Sequence, residues 1–392
     1  MSEFELSAGV YSPNPLSIVG GEGAVVWDAA GEKYIDCVGG HGVSSVGHSN
    51  KKIAAAVKNA WTNYAFATAR HPHAVREKFL EKLSEKMPFE KSKFFLSNSG
   101  TEAVEAALKF ARLATGRTKI LAAKRAFHGR TFGALSATWR PEFREPFEPL
   151  VPDFDFFAFN KVESLEEKIN SETAAVILEV IQGEGGVHIA TKEFLDGVRK
   201  LCDKNGALLI LDEVQSGVCR TGKFLALENF GAQPDIVCLA KALGGGYPIG
   251  ATAFRSDLFD GKNISGRHAS TFGGNLPACA AGLAVLDFCE KENLCEKAAE
   301  DGEFLKQKLL VNPRDISGVN DFSPKIREIR GLGLMLAVEF KIPAKEIVEK
   351  LETAGILVLP TGPKTIRLLP PLVISREQLN KISAALSEIL NI

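Results

Sequence analysis

Two charged residues follow two apolar runs near the middle of the chain. Residues 207–211 are apolar and lead into Asp212, and residues 236–239 are apolar and come just before Lys241. Runs of this length are typical of strands buried in a parallel sheet. The carboxyl ends of such strands form the edge where open α/β sheets bind ligands. The intervening segment is long enough for one crossover connection, so we expect Asp212 and Lys241 on neighbouring strands of one site.

A carboxylate and an amine at one sheet edge suit pyridoxal 5′-phosphate chemistry. The lysine amine can form a Schiff base with the cofactor, and the carboxylate keeps the pyridine nitrogen protonated, which makes the ring an electron sink. The alternative interpretation is structural: Asp212 caps a turn and Lys241 is a solvated strand end. Two-residue patterns often occur by chance, so the decision between them depends on the other motifs of the chain.

Composition indicates an ordinary globular protein. The chain has 392 residues, of which 45% are hydrophobic and 24% are charged, enough for a large core and two or three domains. A net charge of −1 gives no reason to expect a nucleic-acid or membrane-surface partner. No apolar run is long enough to span a bilayer. The segment 1–5 contains two glutamates and lacks a signal-peptide pattern, so we expect a cytoplasmic protein.

Cysteine and histidine spacing gives no indication of a metal site. The seven cysteines are an odd number without a Cys-x-x-Cys motif, and several lie in apolar stretches. They are therefore predicted to be small buried residues and not disulfide partners or ligands. No histidine lies at metal-site spacing from a carboxylate or a cysteine. We expect no metal ion.

A polar loop joins a predicted strand at residues 94–96 to a predicted helix at residues 102–114. The loop contains Ser99, Gly100 and Thr101. Free N–H groups and the positive end of the helix dipole would make it an anion site, and the hydroxyl groups add donors. The same residues also suit an ordinary helix N-cap, and both interpretations can hold together.

Other loops contain residues suited to a flat, anionic ligand. Phe127 could stack on a ring, and Arg130 could bind a carboxylate in bidentate fashion. Alternatively, Phe127 belongs to the core and Arg130 to a surface ion pair. A further strand candidate ends at the polar loop 182–186, and Gln215 could donate a hydrogen bond in the site of Asp212. The glycine-rich segment 39–43 is either a plain loop or backbone that passes close to a ligand.

Six motifs occur in the order found in one enzyme family. They are Asn98-Ser99-Gly100-Thr101-Glu102-Ala103, Phe127-His128-Gly129-Arg130-Thr131, Gln182-Gly183-Glu184-Gly185-Gly186, Asp212-Glu213-Val214-Gln215, Leu239-Ala240-Lys241-Ala242-Leu243-Gly244-Gly245-Gly246 and Ser270-Thr271-Phe272-Gly273-Gly274-Asn275. The ordered set resembles the class III, fold type I pyridoxal-phosphate aminotransferases of the subgroup that includes ornithine, 4-aminobutyrate and acetylornithine aminotransferases. The resemblance covers nearly the whole chain, from Gly23 to Leu372.

The resemblance implies a cofactor site for pyridoxal 5′-phosphate. Lys241 would form the Schiff base and act as the acid/base between Cα and C4′. Asp212 would pair with the pyridinium nitrogen, and Gln215 would bond the 3′ oxygen. Thr271 would reach the phosphate from the neighbouring subunit, which implies a homodimer with shared active sites. The full implied set of cofactor-binding residues is Ser99, Gly100, Thr101, Phe127, Asp212, Glu213, Val214, Gln215, Lys241 and Thr271.

The resemblance also implies how one site accepts two different substrates. Arg367 would bind the carboxylate that adjoins the reacting carbon of 2-oxoglutarate, and Glu184 would neutralise Arg367 while the amine donor is bound. Desolvating an unpaired arginine is costly, so the pairing has an energetic reason. Arg130 would take the distant carboxylate of either substrate, and Ser270 completes the implied substrate-binding set.

Within the family, the chain looks most like enzymes that act on an N²-blocked ornithine or lysine. One branch uses N-acetylornithine, and the other uses lysine or ornithine bound to an acidic amino-group carrier protein. Both reactions yield a semialdehyde and glutamate, in arginine or lysine biosynthesis. The alternatives within the family are a succinylornithine, ornithine or 4-aminobutyrate aminotransferase, or a semialdehyde aminomutase. A decarboxylase and a non-enzymatic dimer are the rival interpretations outside it.

The predicted architecture is α/β, with a mostly parallel central sheet flanked by helices and a smaller α+β C-terminal domain. We expect an N-terminal arm with a small hairpin at 1–45, a large cofactor-binding domain at 46–289 and a small domain at 290–392. A loop rich in Asn, Pro and Gly is expected after the predicted helix 294–310.

Overall fold

The structure is a computed structural model that describes residues 3–11, 14–310 and 325–390. The predicted loop after residue 310 lies outside the described residues. Within them, no helix combines the length and the apolar character needed to cross a bilayer.

The N-terminal region forms a small sheet. It contains helix α1 (Glu3–Leu6), strands β1 (Ile18–Glu22), β2 (Val25–Asp28) and β3 (Lys33–Asp36), and the helical turn α2 (Gly39–Gly42). The predicted hairpin of β2 and β3 is confirmed. Strand β1, which pairs with β2, is not evident in the sequence because two of its five residues are glycines, which are depleted in strands.

The middle of the chain alternates strands and helices. Its elements are α3 (Lys51–Tyr64), α4 (Ala74–Ser84), β4 (Ser92–Ser97), α5 (Gly100–Thr115), β5 (Lys119–Ala123), α6 (Phe132–Ser136), α7 (Pro141–Arg144), β6 (Phe154–Phe157), α8 (Val162–Glu166), β7 (Thr173–Leu178), β8 (Ile181–Gln182), β9 (His188–Ile189), α9 (Lys192–Asn205), β10 (Leu208–Asp212), β11 (Ile236–Leu239), β12 (Gly250–Arg255) and α10 (Leu276–Lys291). This alternation is the pattern of an α/β sheet with crossover helices.

The central sheet has seven strands in the order β4-β12-β11-β10-β7-β5-β6. Its neighbouring strands pair in parallel, except that β12 runs antiparallel to β11 and β4. Helices α5 and α9 pack on opposite faces, which explains why β7 and β10 are buried at every position. Strands β10 and β11 are neighbours, so the predicted placement of Asp212 beside the strand that leads to Lys241 is confirmed.

The C-terminal region adds a second sheet. Its elements are α11 (Leu294–Leu310), β13 (Ile326–Leu332), β14 (Met335–Phe340), α12 (Lys345–Thr353), β15 (Ile356–Leu357), β16 (Leu359–Pro360), β17 (Thr365–Leu368) and α13 (Arg376–Leu390). Strands β13, β14, β17 and β16 form an antiparallel sheet, whereas β15 pairs in parallel with β3 of the N-terminal sheet. The domain division at residues 45 and 289 stays a prediction, and helix α10 continues to Lys291.

A buried carboxylate fixes the amino ends of β10 and β11. Asp235 immediately precedes β11, and its Oδ2 accepts hydrogen bonds from the backbone N–H of Leu209 (2.7 Å) and from Arg199 (2.8 Å). Its Oδ1 accepts a hydrogen bond from Arg255 at 2.9 Å. One side chain therefore joins β10, β11, β12 and α9 on the side of the sheet opposite the candidate site.

Replacing Asp235 with alanine is expected to destabilise the fold. The substitution leaves one backbone N–H without its partner and removes one of the two carboxylate partners of Arg199 and of Arg255. We expect the free energy of unfolding to fall by about 3 kcal/mol. The half-exposed Arg255 contributes least, because solvent screens its charge. Urea denaturation measures the loss. As a control, Asp196→Ala removes an exposed helical ion pair with Lys192 and should lower the free energy of unfolding by less than about 0.5 kcal/mol. Equal losses of stability in the two variants would contradict the structural role of Asp235.

Candidate active site

Asp212 is the last residue of β10, and its carboxylate is held in place by two partners. Its Oδ1 accepts a hydrogen bond from the backbone N–H of Val214 at 3.0 Å, and its Oδ2 lies 2.7 Å from Nδ1 of His128. Both side chains are buried. A carboxylate oxygen accepts and a ring N–H donates, so we assign His128 Nδ1 as the donor of this contact. Sequence reasoning gives His128 no role of its own, since its distance to Asp212 depends on the tertiary fold.

Lys241 begins a short turn directly after β11. Its backbone has a φ of +46°, in the left-handed region. A non-glycine residue in that region costs about 1–3 kcal/mol and persists only where the surrounding structure enforces it, often at functional sites. Burial lowers the pKa of the Lys241 amine, although the charge of Glu184 opposes this effect. A lowered pKa makes the neutral, nucleophilic amine more available.

Most of the predicted site residues converge on one cavity of about 240 Å³. The residues that line it are Gly100, Thr101, Phe127, His128, Gly129, Arg130, Glu179, Glu184, Asp212, Val214, Gln215 and Lys241. The cavity thus lies at the carboxyl ends of the central strands, where α/β sheets bind ligands.

The amino end of helix α5 forms one wall of this cavity. Ser99 caps the helix by accepting a hydrogen bond from the backbone N–H of Glu102, so it supports the wall without lining it. A Cβ atom at Gly100 would lie 2.7 Å from the side chain of Val214, so only glycine fits there. Free N–H groups at the start of a helix, together with the hydroxyl of Thr101, suit a phosphate group.

Glu213, Ser270 and Thr271 lie outside the cavity, which corrects the expectation of direct contact for Glu213. Glu213 directly follows β10, and its buried carboxylate makes its hydrogen bonds outside the cavity. Its carboxylate accepts hydrogen bonds from the backbone N–H groups of Ala226 (3.1 Å) and Leu227 (2.8 Å), and burial raises its pKa to about 7. Ser270 and Thr271 line a neighbouring cavity, where the Ser270 hydroxyl contacts Asn98.

An ion pair closes the side of the cavity nearest β17. Arg367 is almost fully buried, and its Nη1 donates to Glu184 Oε1 at 2.7 Å and to Gln215 Oε1 at 3.1 Å. Burial alone would raise the pKa of Glu184, but contact with His41 and the charges of Arg367 and Lys241 hold it well below its usual range. Glu184 therefore stays ionised beside Arg367 and the lysine amine.

The glycine-rich segment at 39–42 packs against this ion pair. The backbone oxygen of His41 accepts a hydrogen bond from Gln215 at 3.2 Å, and its Nδ1 lies 3.4 Å from Arg367. Gly40 and His41 both have a left-handed backbone, which turns the chain tightly into the site. Of the two interpretations of this segment, the structure favours backbone close to the site.

A second buried carboxylate connects two loops of the site. Glu179 accepts hydrogen bonds from the backbone N–H of Phe127 (3.0 Å) and of Gly183 (2.9 Å). Burial raises its pKa to about 7. The loop that carries Phe127 is thereby tied to the loop that carries Glu184. A glutamate at a strand end is visible in the sequence, but its two backbone partners are not.

Comparison with known proteins identifies the family. The profile of the class-III aminotransferases matches residues 7–390. The chain belongs to the class-III aminotransferases. It is therefore a transaminase that uses pyridoxal 5′-phosphate, and the central sheet flanked by helices is fold type I, as the resemblance implies.

Class-III aminotransferases of several organisms match nearly the whole chain. The chain is 44% identical over 393 residues to LysW-aminoadipate semialdehyde transaminase of Deinococcus radiodurans, covering 100% of this chain and 89% of the relative. It is 45% identical over 382 residues to acetylornithine aminotransferase of Methanopyrus kandleri, covering 97% and 95%. Among solved structures, ornithine aminotransferase of Toxoplasma gondii superposes with a TM-score of 0.91 at 32% identity, covering 99% and 93%.

The side chains of the cavity fit the cofactor of this family. A half-buried lysine amine, a buried carboxylate and a helix amino end lie around one space, which are the groups needed for its aldehyde, ring nitrogen and phosphate. The buried Nε2 of His128 has no hydrogen-bond partner within the described residues. The arrangement thus offers partners for the aldehyde, the ring nitrogen and the phosphate of the cofactor.

Proposed function

We propose that this aminotransferase moves the terminal amino group of an N²-blocked ornithine or lysine to 2-oxoglutarate, giving a semialdehyde and glutamate. The observation that carries the proposal is the Glu184–Arg367 pair at 2.7 Å beside Lys241. A site that takes two substrates in turn needs a cation that binds the carboxylate of one substrate and is neutralised while the other substrate is bound. The names of the relatives support N²-blocked donors, both acetylated and LysW-linked.

Each polar residue of the cavity has a distinct role in this proposal. Bound pyridoxal phosphate supplies the electron sink that stabilises negative charge on the reacting carbon. Lys241 holds and moves the proton at that carbon, and its lowered pKa suits this task. Asp212, oriented by His128, accepts the hydrogen bond of the ring nitrogen. The amino end of α5 binds the phosphate.

The remaining predicted residues complete the cofactor site. Val214 and Phe127 would contact the two faces of the ring, and Gln215 would bond the ring oxygen. In a homodimer, Thr271 of the partner subunit would reach the phosphate, which fits the position of Thr271 outside the cavity of its own chain. Ser270 would lie beside it at the subunit boundary.

The ion pair provides the switch between the two substrates. While the amine donor is bound, Glu184 neutralises Arg367, so no unpaired charge faces the apolar chain of the donor. When 2-oxoglutarate enters, Glu184 withdraws and Arg367 binds the carboxylate next to the reacting carbon in bidentate fashion. Arg130, at the exposed end of the cavity, takes the distant carboxylate. An acidic carrier protein is the proposed macromolecular partner, and a cytoplasmic location stays a prediction.

Incubation of the purified protein with 2-oxoglutarate and candidate donors tests the proposal. We expect glutamate to form with N²-blocked ornithine or lysine, and to form much more slowly with free ornithine or 4-aminobutyrate. The control lacks 2-oxoglutarate and should yield no glutamate. Failure of every N²-blocked donor, including one linked to a carrier protein, would refute the proposal and favour an aminomutase or a decarboxylase.

A further inference from the structure

Two arginines share one aromatic ring at the rim of the cavity. The guanidinium carbon of Arg130 lies 3.6 Å from the ring centre of Phe143, and that of Arg140 lies 5.7 Å from the same centre. Phe143 follows Arg140 closely in the chain and lies next to Phe127, with 6.0 Å between the ring centres. Stacking on an aromatic ring fixes the plane of a guanidinium group without using its N–H donors.

Neither arginine is neutralised by a residue that the structure describes. Among residues 3–11, 14–310 and 325–390, no carboxylate lies within ion-pair distance of Arg130 or Arg140, whereas Arg367 pairs with one carboxylate and Arg330 with two. The Nη2 of Arg140 donates a hydrogen bond to the backbone oxygen of Glu184 at 3.2 Å. Most N–H groups of both guanidinium ions are therefore available to a ligand.

The position of Arg140 connects it to the substrate site. The backbone oxygen of Glu184 that it contacts also accepts a hydrogen bond from Thr361 at 2.8 Å, so this part of the rim is held from two sides. The carboxylate of the same Glu184 pairs with Arg367 inside the cavity. Arg140 is half-buried. The positive charges of Arg130 and Arg140 lie close to the same ring, so they repel each other until an anion binds between them or beside them.

We propose that Arg140 binds a carboxylate on the group that blocks N² of the amine donor. This inference rests on the proposed function, in which Arg130 already takes the carboxylate of the ornithine or lysine itself. A second arginine at the rim then matches a second carboxylate further out. An acyl group derived from a dicarboxylic acid, such as succinyl or γ-glutamyl, keeps one carboxylate after the amide forms, whereas an acetyl group has none. The site therefore selects donors with an acidic blocking group.

The size of the preference follows from the strength of a charge-assisted hydrogen bond. A donor whose carboxylate binds the guanidinium group should bind about tenfold to hundredfold more tightly than a donor that leaves this group in water. The gain is realised in the bound donor and in the transition state alike, because the blocking group lies far from the reacting carbon. It should therefore appear mainly in KM, with kcat nearly unchanged.

The test compares three donors in the wild-type holoenzyme and in Arg140→Gln. The donors are N²-acetylornithine, N²-succinylornithine and N²-γ-glutamylornithine, each with 2-oxoglutarate. In the wild type we expect kcat/KM to be at least about tenfold higher for the two acidic donors. In Arg140→Gln we expect that advantage to disappear through a higher KM, while the value for N²-acetylornithine stays within about twofold.

Two matched variants separate this site from a general effect of charge. Lys124→Gln removes a nearby exposed cation that stacks on Trp139 and should leave all three donors unchanged. Arg140→Lys keeps the positive charge but lacks the planar guanidinium group with its paired N–H donors, so it should retain only part of the preference for acidic donors. Equal turnover of all donors by the wild type, or an equal loss for all three in Arg140→Gln, would overturn the inference alone. Absence of turnover with every donor would refute the proposed function itself.

Discussion

Lys241→Ala is expected to abolish transamination, with kcat reduced by at least about 10⁴-fold. Among the described residues, Lys241 supplies the only amine that lines the cavity, and no other side chain in that lining can both bind the cofactor aldehyde and carry the proton at the reacting carbon. Two measurements check the result. One is glutamate formation with an N²-blocked donor, and the other is trapping of the cofactor on the protein by borohydride reduction.

Lys204→Ala is the control for this experiment. Lys204 is exposed in the last turn of α9, so its loss should change neither rate nor trapping. Cofactor that remains trapped on Lys241→Ala at the wild-type level would contradict the assignment of Lys241. Loss of trapping in both variants would instead point to a general defect in folding, which the urea midpoint of each variant would reveal.

Arg367→Ala is expected to slow only one of the two half-reactions. Removing the guanidinium group takes away the bidentate partner of the carboxylate next to the reacting carbon, so kcat/KM for 2-oxoglutarate should fall by about 10²-fold or more. The donor half-reaction needs Arg367 only in its neutralised state and should change by less than about tenfold. Single-turnover absorbance changes with each substrate measure the two half-reactions separately.

Two further arginine substitutions sharpen that experiment. Arg367→Lys keeps a positive charge without the planar fork and should recover only part of the loss for 2-oxoglutarate. Arg327→Ala removes an exposed arginine of β13 that pairs with Glu339, and it should leave both half-reactions unchanged. Equal losses for both substrates in Arg367→Ala would refute the switch between Glu184 and Arg367.

Local sequence patterns are enough to predict the framework of this protein. Apolar runs that end at Asp212 and just before Lys241 are sufficient to predict two parallel strands with their chemistry at one edge, because strand burial and the ligand-binding edge follow from local pattern. The polar loop 97–101 predicts the anion-binding end of α5 for the same reason. Strands β1 and β12 are less evident, since glycine and other small residues there lack a clear alternation.

The neighbours of several other charged groups emerge only when the chain is folded. Asp212 meets His128, and Arg130 and Arg140 meet on the ring of Phe143. The Glu184–Arg367 contact, by contrast, is already implied by the family resemblance. Asp212 and His128 are far apart in the chain, and no local periodicity encodes the angle between a loop and a strand. The folded chain also keeps the Glu213 carboxylate outside the cavity, because it accepts hydrogen bonds from the backbone N–H groups of Ala226 and Leu227. The sequence names the groups that carry charge, but packing determines which charge is neutralised and which is left for a substrate.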